Sequence, residues 1–189
     1  MSDVLLLHHA QGLTDGVRAF ADRLREAGHQ VTVPDLYDGH TYATLEEGMA
    51  HAQQAGFQEL ADRGVAAADG MPDDLVYVGL SLGVMPAQQL AQTRPGARGA
   101  VLCFACVPAE AFGGAWPAGV GLQVHGMDHD PVFVDEGDLA AAQQRTDAVD
   151  GAELCVYHGD QHLFVDSSLS DHRPEAAELL TERVLHFLA

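Results

Sequence analysis

The stretch Leu75-Val76-Tyr77-Val78-Gly79-Leu80-Ser81-Leu82-Gly83-Val84 constrains this chain more than any other. A short apolar, β-branched and aromatic run enters a G-x-S-x-G element, and Met85-Pro86-Ala87-Gln88-Gln89-Leu90-Ala91 after it reads as a helix start. A strand, a sharp turn and a helix in that order hold the central serine in a strained conformation, with its hydroxyl exposed at the strand's carboxyl end. Glycine on both flanks lets neighbouring backbone pass close beside it. The pentapeptide also fits an ordinary strand-to-helix connection, but the strand before it and the helix after it favour Ser81 as a nucleophile.

The rest of the chain repeats the alternation of strand and helix. Residues 4–7 are a continuous apolar run, as expected of a strand covered on both faces. Thr14 is placed to cap a helix carrying Val17, Phe20, Ala21 and Leu24 at helical spacing, and Gly28 stops it. A second strand covers residues 30–33 and breaks at Pro34; a turn-rich stretch follows to His40. A helical pattern runs over 44–68 with breaks expected at Gly56 and Gly64. Beyond the serine element, strands are expected over 99–107, 120–125 and 152–157, and helices over 136–149 and 174–188. No repeat or linker interrupts the pattern. The expectation is a single α/β domain over residues 1–189, with a mostly parallel six-stranded sheet and helices on both faces.

Composition excludes several classes of chemistry. Twenty-eight acidic residues against nine basic ones give a formal net charge of −19, which repels nucleic acid and anionic membranes. All nine basic residues are arginine, so Schiff-base, Walker A and serine-lysine chemistry are ruled out. No run approaches the roughly 18 apolar residues of a membrane span. The N-terminus has no basic leader and runs straight into a first core strand, and the expected location is cytoplasmic. Cys103, Cys106 and Cys155 are an odd number without a secretion signal, so no disulfide framework is expected. The C-x-x-C spacing of Cys103 and Cys106 lies inside an apolar run, not at a helix start, and reads as buried small hydrophobes.

In an open parallel sheet the ligand crevice lies beyond the carboxyl ends of the strands. The positions after strands 1, 3, 5 and 6 hold His8 to Gln11, Ser81, Asp128 or Asp130, and His162. A serine nucleophile needs a neutral imidazole to take its proton and a carboxylate to orient that imidazole. The order Ser, Asp, His with the serine in a strand-turn-helix element is the α/β-hydrolase arrangement. His162, between the last strand and the last helix, is the better base than His158. Two carboxylates compete. Asp128 lies closer to the strand end; Asp130 precedes Pro131-Val132-Phe133, whose apolar residues would shield an imidazole-carboxylate bond from water. His8 and His9 are not expected to form a metal pair, because adjacent side chains point apart and no third ligand has suitable spacing.

On these residues the chain resembles the dienelactone hydrolase family. The carrying stretches are His8-His9-Ala10-Gln11-Gly12, Pro34-Asp35-Leu36-Tyr37, the Gly79 to Gly83 element, Gly126 to Pro131, and Tyr157-His158-Gly159-Asp160-Gln161-His162-Leu163-Phe164. The resemblance implies a compact fold without a large lid that hydrolyses small esters or lactones without a cofactor. It places the nucleophile at Ser81, the base at His162, the carboxylate at Asp130 with Asp128 as the alternative, and the oxyanion hole at the backbone N–H groups of Ala10 and Leu82. Three departures stand out. The family's namesake enzymes carry cysteine where this chain has Ser81, a loop glutamate falls at His9, and an arginine after the histidine motif is absent, since Phe164 is followed by Val165 and Asp166.

The reading is a serine hydrolase for a small, uncharged or weakly polar ester or lactone, as a monomer or homodimer with no nucleic-acid or membrane partner. Its rivals are a non-catalytic binding or regulatory protein on the same fold, and an acyltransferase or thioesterase with the same triad.

Overall fold

In a computed structural model that describes residues 1–108 and 110–189, the apolar runs become strands β1 (Asp3–Leu7), β2 (Gln30–Thr32), β3 (Val76–Leu80), β4 (Gly99–Cys103), β5 (Gly121–Met127) and β6 (Glu153–Tyr157). The helices between and after them are α1 (Asp15–Glu26), α2 (Leu45–Ala55), α3 (Phe57–Ala66), α4 (Val84–Thr93), α5 (Pro131–Asp135), α6 (Asp138–Ala148) and α7 (Pro174–Leu188). The sheet order is β2-β1-β3-β4-β5-β6, and all five pairings are parallel.

Alternate side chains of each strand face opposite sides of the sheet and fill two cores. Val4, Leu6, Val76, Val78, Leu80 and Val101 pack with Val17, Phe20 and Leu24 of α1 and Leu180 and Val184 of α7. Leu5, Leu7, Tyr77, Leu102, Leu122 and Val124 pack with Leu60 of α3, Ala87 and Leu90 of α4 and Ala142 of α6. The three central strands have no polar face because helices cover both sides, which is why they read as unbroken apolar runs. The chain moves outward from β1 in both directions: β2 lies on one side, β3 and all later strands on the other. The carboxyl ends of β1 and β3 therefore flank the point where strand order reverses, the place where such sheets hold ligands.

The structure moves several expected boundaries. Thr14 caps α1 as expected, its side chain accepting from the Val17 N–H. Gly56, with φ 95°, separates α2 from α3, but Gly64 does not break α3. A Cβ at Gly64 would lie 2.6 Å from Pro86 Cβ, so this glycine brings α3 against α4. The fourth strand stops at Cys103 rather than running to residue 107, because Phe104 turns out of the sheet at φ 72°. The fifth strand extends through Gly126 and Met127 beyond the expected end at His125, and a Cβ at Gly126 would overlap the buried Phe133 ring. The helix expected over 136–149 is α6, and α5 precedes it, capped by Asp130.

Among the described residues no helix is long and apolar enough to cross a membrane. Cys103 and Cys106 are buried, and burial pushes the Cys106 thiol up to about 12, which leaves it an inert apolar side chain at neutral pH.

Candidate active site

Ser81 begins a short 3₁₀ turn, Ser81–Gly83, between β3 and α4. Its φ is 49°, in the left-handed region that side chains other than glycine rarely adopt. Such strain costs about 1–3 kcal/mol and persists only where surrounding structure enforces it. The flanking glycines show what enforces it here. A Cβ at Gly79 would stand 2.6 Å from the Gly83 carbonyl oxygen. One at Gly83 would run into the Leu7 carbonyl and lie 2.8 Å from the His8 carbonyl oxygen. The turn is thus folded back on β3 and pressed against the end of β1, and any larger residue at either position would push Ser81 out of place.

Ser81 Oγ–H donates to His162 Nε2 across 2.8 Å, and His162 Nδ1–H donates to Asp130 Oδ2 across 2.6 Å. A carboxylate only accepts, so it holds the ring proton on Nδ1 and leaves the Nε2 lone pair for the serine. The other Asp130 oxygen accepts from the Val132 N–H at 3.0 Å as the cap of α5, which fixes the carboxylate's orientation. Asp130 is fully buried, and His162 is 5% exposed. The Phe104 ring meets the imidazole edge-on at 5.9 Å between centroids and rests against Phe164 at 5.0 Å. These apolar walls keep water from the imidazole-carboxylate bond and strengthen it. Phe104 escaped the sequence reading, which placed it inside a strand.

Asp128, the competing carboxylate, is turned away from His162. Its oxygens accept from the Gly159 N–H at 3.0 Å, His129 Nδ1 at 2.6 Å and His158 Nδ1 at 3.1 Å. The Gly159 amide first, then the two imidazoles, hold its carboxyl well below the usual carboxylate range. His158 is exposed and bonds Asp128, not Ser81.

The loop after β1 completes the site. Both of its histidines are fully buried and fully engaged, so neither is free to bind a metal. His8 donates from Nδ1 to the His9 carbonyl at 2.8 Å and accepts from the Leu36 N–H at Nε2, 3.0 Å away. His9 accepts from the Gln11 N–H at Nδ1, 3.2 Å, and donates from Nε2 to Asp166 at 2.8 Å. Ala10 directly follows these two anchored histidines; it is buried, and its N–H has no hydrogen-bond acceptor among the described residues. Leu82 stands in the turn that leads into α4, where the first amides of a helix have no partner within it and carry its positive dipole end. A groove of about 760 Å³ elsewhere, along β6 and α7, contains none of these residues.

The model of the dienelactone hydrolase family matches residues 2–189. The chain belongs to the dienelactone hydrolase family. This membership places it among hydrolases. No curated protein matches it. Among solved structures it is similar to a dienelactone hydrolase-like promiscuous phosphotriesterase from metagenomic libraries, with a TM-score of 0.76 and 18% identity over 100% of this chain and 85% of the other. It is also similar to dienelactone hydrolase from Anabaena variabilis, with a TM-score of 0.63 and 18% identity over 98% of this chain and 84% of the other. At such identities the likeness concerns the fold alone.

In the loops that flank the site, the buried side chains of His9 and Asp166 meet. Asp166 also accepts from the Thr14 hydroxyl and from Ser168, at 2.9 Å from its N–H and 2.6 Å from its hydroxyl.

Proposed function

We propose that this hydrolase cleaves a small, uncharged or weakly polar ester or lactone, with Ser81 as nucleophile, His162 as base, Asp130 as the carboxylate, and the Ala10 and Leu82 N–H groups as oxyanion donors. The observation that carries the reading is the unbroken hydrogen-bonded line from Ser81 Oγ through His162 to a fully buried Asp130. As Ser81 Oγ attacks the acyl carbon, its proton passes to His162 Nε2, and the imidazolium so formed is held by the Asp130 charge. The negative charge that develops on the carbonyl oxygen would fall to the Ala10 and Leu82 amides, and the absence of an acceptor for the Ala10 N–H among the described residues supports this role. His162 then gives the proton to the leaving alkoxide. A water molecule, deprotonated by the same ring, hydrolyses the acyl-enzyme and restores Ser81. These steps need no cofactor.

The preference for an uncharged substrate rests on Asp166. The stretch that would supply an arginine to an anionic substrate supplies a carboxylate instead, locked to His9.

The test is to treat the protein with a fluorophosphonate and, separately, with short p-nitrophenyl esters. One adduct on Ser81 with steady ester turnover is expected, and Ser81→Ala should remove the adduct and several orders of magnitude of rate. Turnover by Ser81→Ala at the parent rate would eliminate this nucleophile; neither labelling nor turnover in the parent would make the chain a binding protein on the hydrolase fold.

A further inference from the structure

We propose that Asp128, His129 and His158 form a binding site for a divalent transition-metal ion of the zinc class. Their ligand atoms lie within 4.8 Å of one another. Each imidazole Nδ1 already faces a different oxygen of the one carboxylate, at 2.6 Å for His129 and 3.1 Å for His158. The donor set selects the ion: two imidazole nitrogens and one carboxylate suit zinc, nickel or copper, whereas calcium and magnesium take oxygen ligands.

The ligands are arranged before any ion arrives. Asp128 and His129 follow β5 and His158 follows β6, and the two loops are tied by backbone bonds from the Asp128 N–H to the Tyr157 carbonyl and from the His129 N–H to the Gly159 carbonyl, both 2.9 Å. The Gly159 N–H holds Asp128 Oδ1 from behind, the outer-shell support that metal-binding carboxylates need. Access is open, since the His129 and His158 side chains are 66% and 87% exposed. In the metal-bound form each Nδ1 gives up the proton it donates to Asp128 and offers its lone pair to the ion: a doubly protonated ring releases that proton to solvent and keeps the one on Nε2, whereas a neutral ring exchanges it through solvent for one on Nε2. Three protein ligands leave a position for water.

The site's place in the fold decides what the ion would do. Asp128 is two residues before Asp130, and His158 is four residues before His162. An ion bridging Asp128 and His158 therefore clamps the β5 and β6 loops that carry the two groups joined at 2.6 Å in the catalytic line.

The experiment is calorimetric titration of zinc chloride into untagged, chelator-treated protein in a non-coordinating buffer, with thermal unfolding followed in parallel. Saturable binding of one ion and a raised Tm are expected. His129→Gln and His158→Gln, both exposed substitutions outside the triad, should each weaken binding by about tenfold or more and abolish the Tm rise. No saturable binding, or binding that survives in the His129→Gln/His158→Gln double variant, overturns the proposal. Neither readout depends on catalysis, so the hydrolase reading stands or falls separately.

Discussion

His9 Nε2 lies 2.8 Å from Asp166 Oδ2, and neither side chain has any contact with solvent. The pair joins the loop after β1 to the loop before α7, and through Thr14 it reaches the cap of α1. Burial pushes the Asp166 carboxyl up, but the His9, Ser168 and Thr14 donors outweigh it together and bring it down to about 2. Because Ala10 follows His9 directly, this buried pair positions the proposed oxyanion amide. Asp166→Asn keeps the volume but turns one acceptor into a donor that faces His9, Thr14 or Ser168. It should cost about 1–3 kcal/mol of stability, read as a lower urea midpoint at unchanged slope, and reduce kcat for ester cleavage. A parental midpoint with parental kcat would show that the pair fixes nothing.

Acid should destabilise the fold well above the carboxylate range. Burial first, opposed by the bond to the His9 carbonyl, lowers His8 from 6.5 to about 4, and burial lowers His125 to about 3. Each ring is neutral when folded and takes a proton once unfolded below 6.5, so the unfolded chain binds more protons and stability falls as pH falls. The loss begins near pH 6.5 and for His8 levels off near 4, a span worth roughly 3 kcal/mol at most. Urea midpoints measured between pH 7.5 and 4 should decline over this window, and His8→Gln should make the decline shallower. Midpoints that hold steady down to pH 4 would mean that the buried rings accept protons in place.

Gly83→Ala tests the packing behind the strained serine. The added methyl meets the Leu7 and His8 carbonyl oxygens, and backbone of a central strand cannot swing aside as a side chain would. The expected cost is roughly 3 kcal/mol, the upper part of the overpacking range, with loss of fluorophosphonate labelling as Ser81 shifts. An alanine variant with parental stability and labelling would mean that the close approach of the turn to β1 is not needed.

The parts of this fold legible in the sequence are those where local chemistry and tertiary role agree. The run before Gly79 is apolar at every residue because β3 is central, Thr14 caps α1 by its own hydroxyl, and the serine turn is marked by the two glycines that backbone contacts require. What stayed hidden depends on residues far away in the chain. Phe104 looked like strand, since nothing local shows that it turns at φ 72° to place its ring against His162. Gly64 looked like a helix break because the pressure from Pro86 lies outside its own helix. His9 and Asp166 are separated by 157 residues, and nothing in the sequence near either one shows that they meet. Asp128 and Asp130 were hard to separate because both follow β5; the extra strand residues, Gly126 and Met127, decide which carboxylate faces which imidazole.

That last distinction yields the sharpest test of the proposed triad. Asp130 bonds His162 at 2.6 Å with its other oxygen capping α5, whereas Asp128 spends both oxygens on Gly159, His129 and His158. Asparagine at 130 would keep the size of the side chain, but its NH₂ group facing Nδ1 favours the tautomer with the proton on Nε2, where it cannot accept from Ser81. Asp130→Asn should therefore lower kcat/KM by about 10⁴-fold, mostly through kcat, with little change in KM. Asp128→Asn leaves the His162 tautomer untouched and should cost far less, below about tenfold, since loosening a neighbouring loop only perturbs the alignment. Both variants should be assayed in chelator-treated buffer, so that loss of an ion cannot mimic loss of a base. If Asp128→Asn proves the crippled enzyme and Asp130→Asn the active one, the carboxylate that orients His162 during turnover is not the one bonded to it in this structure.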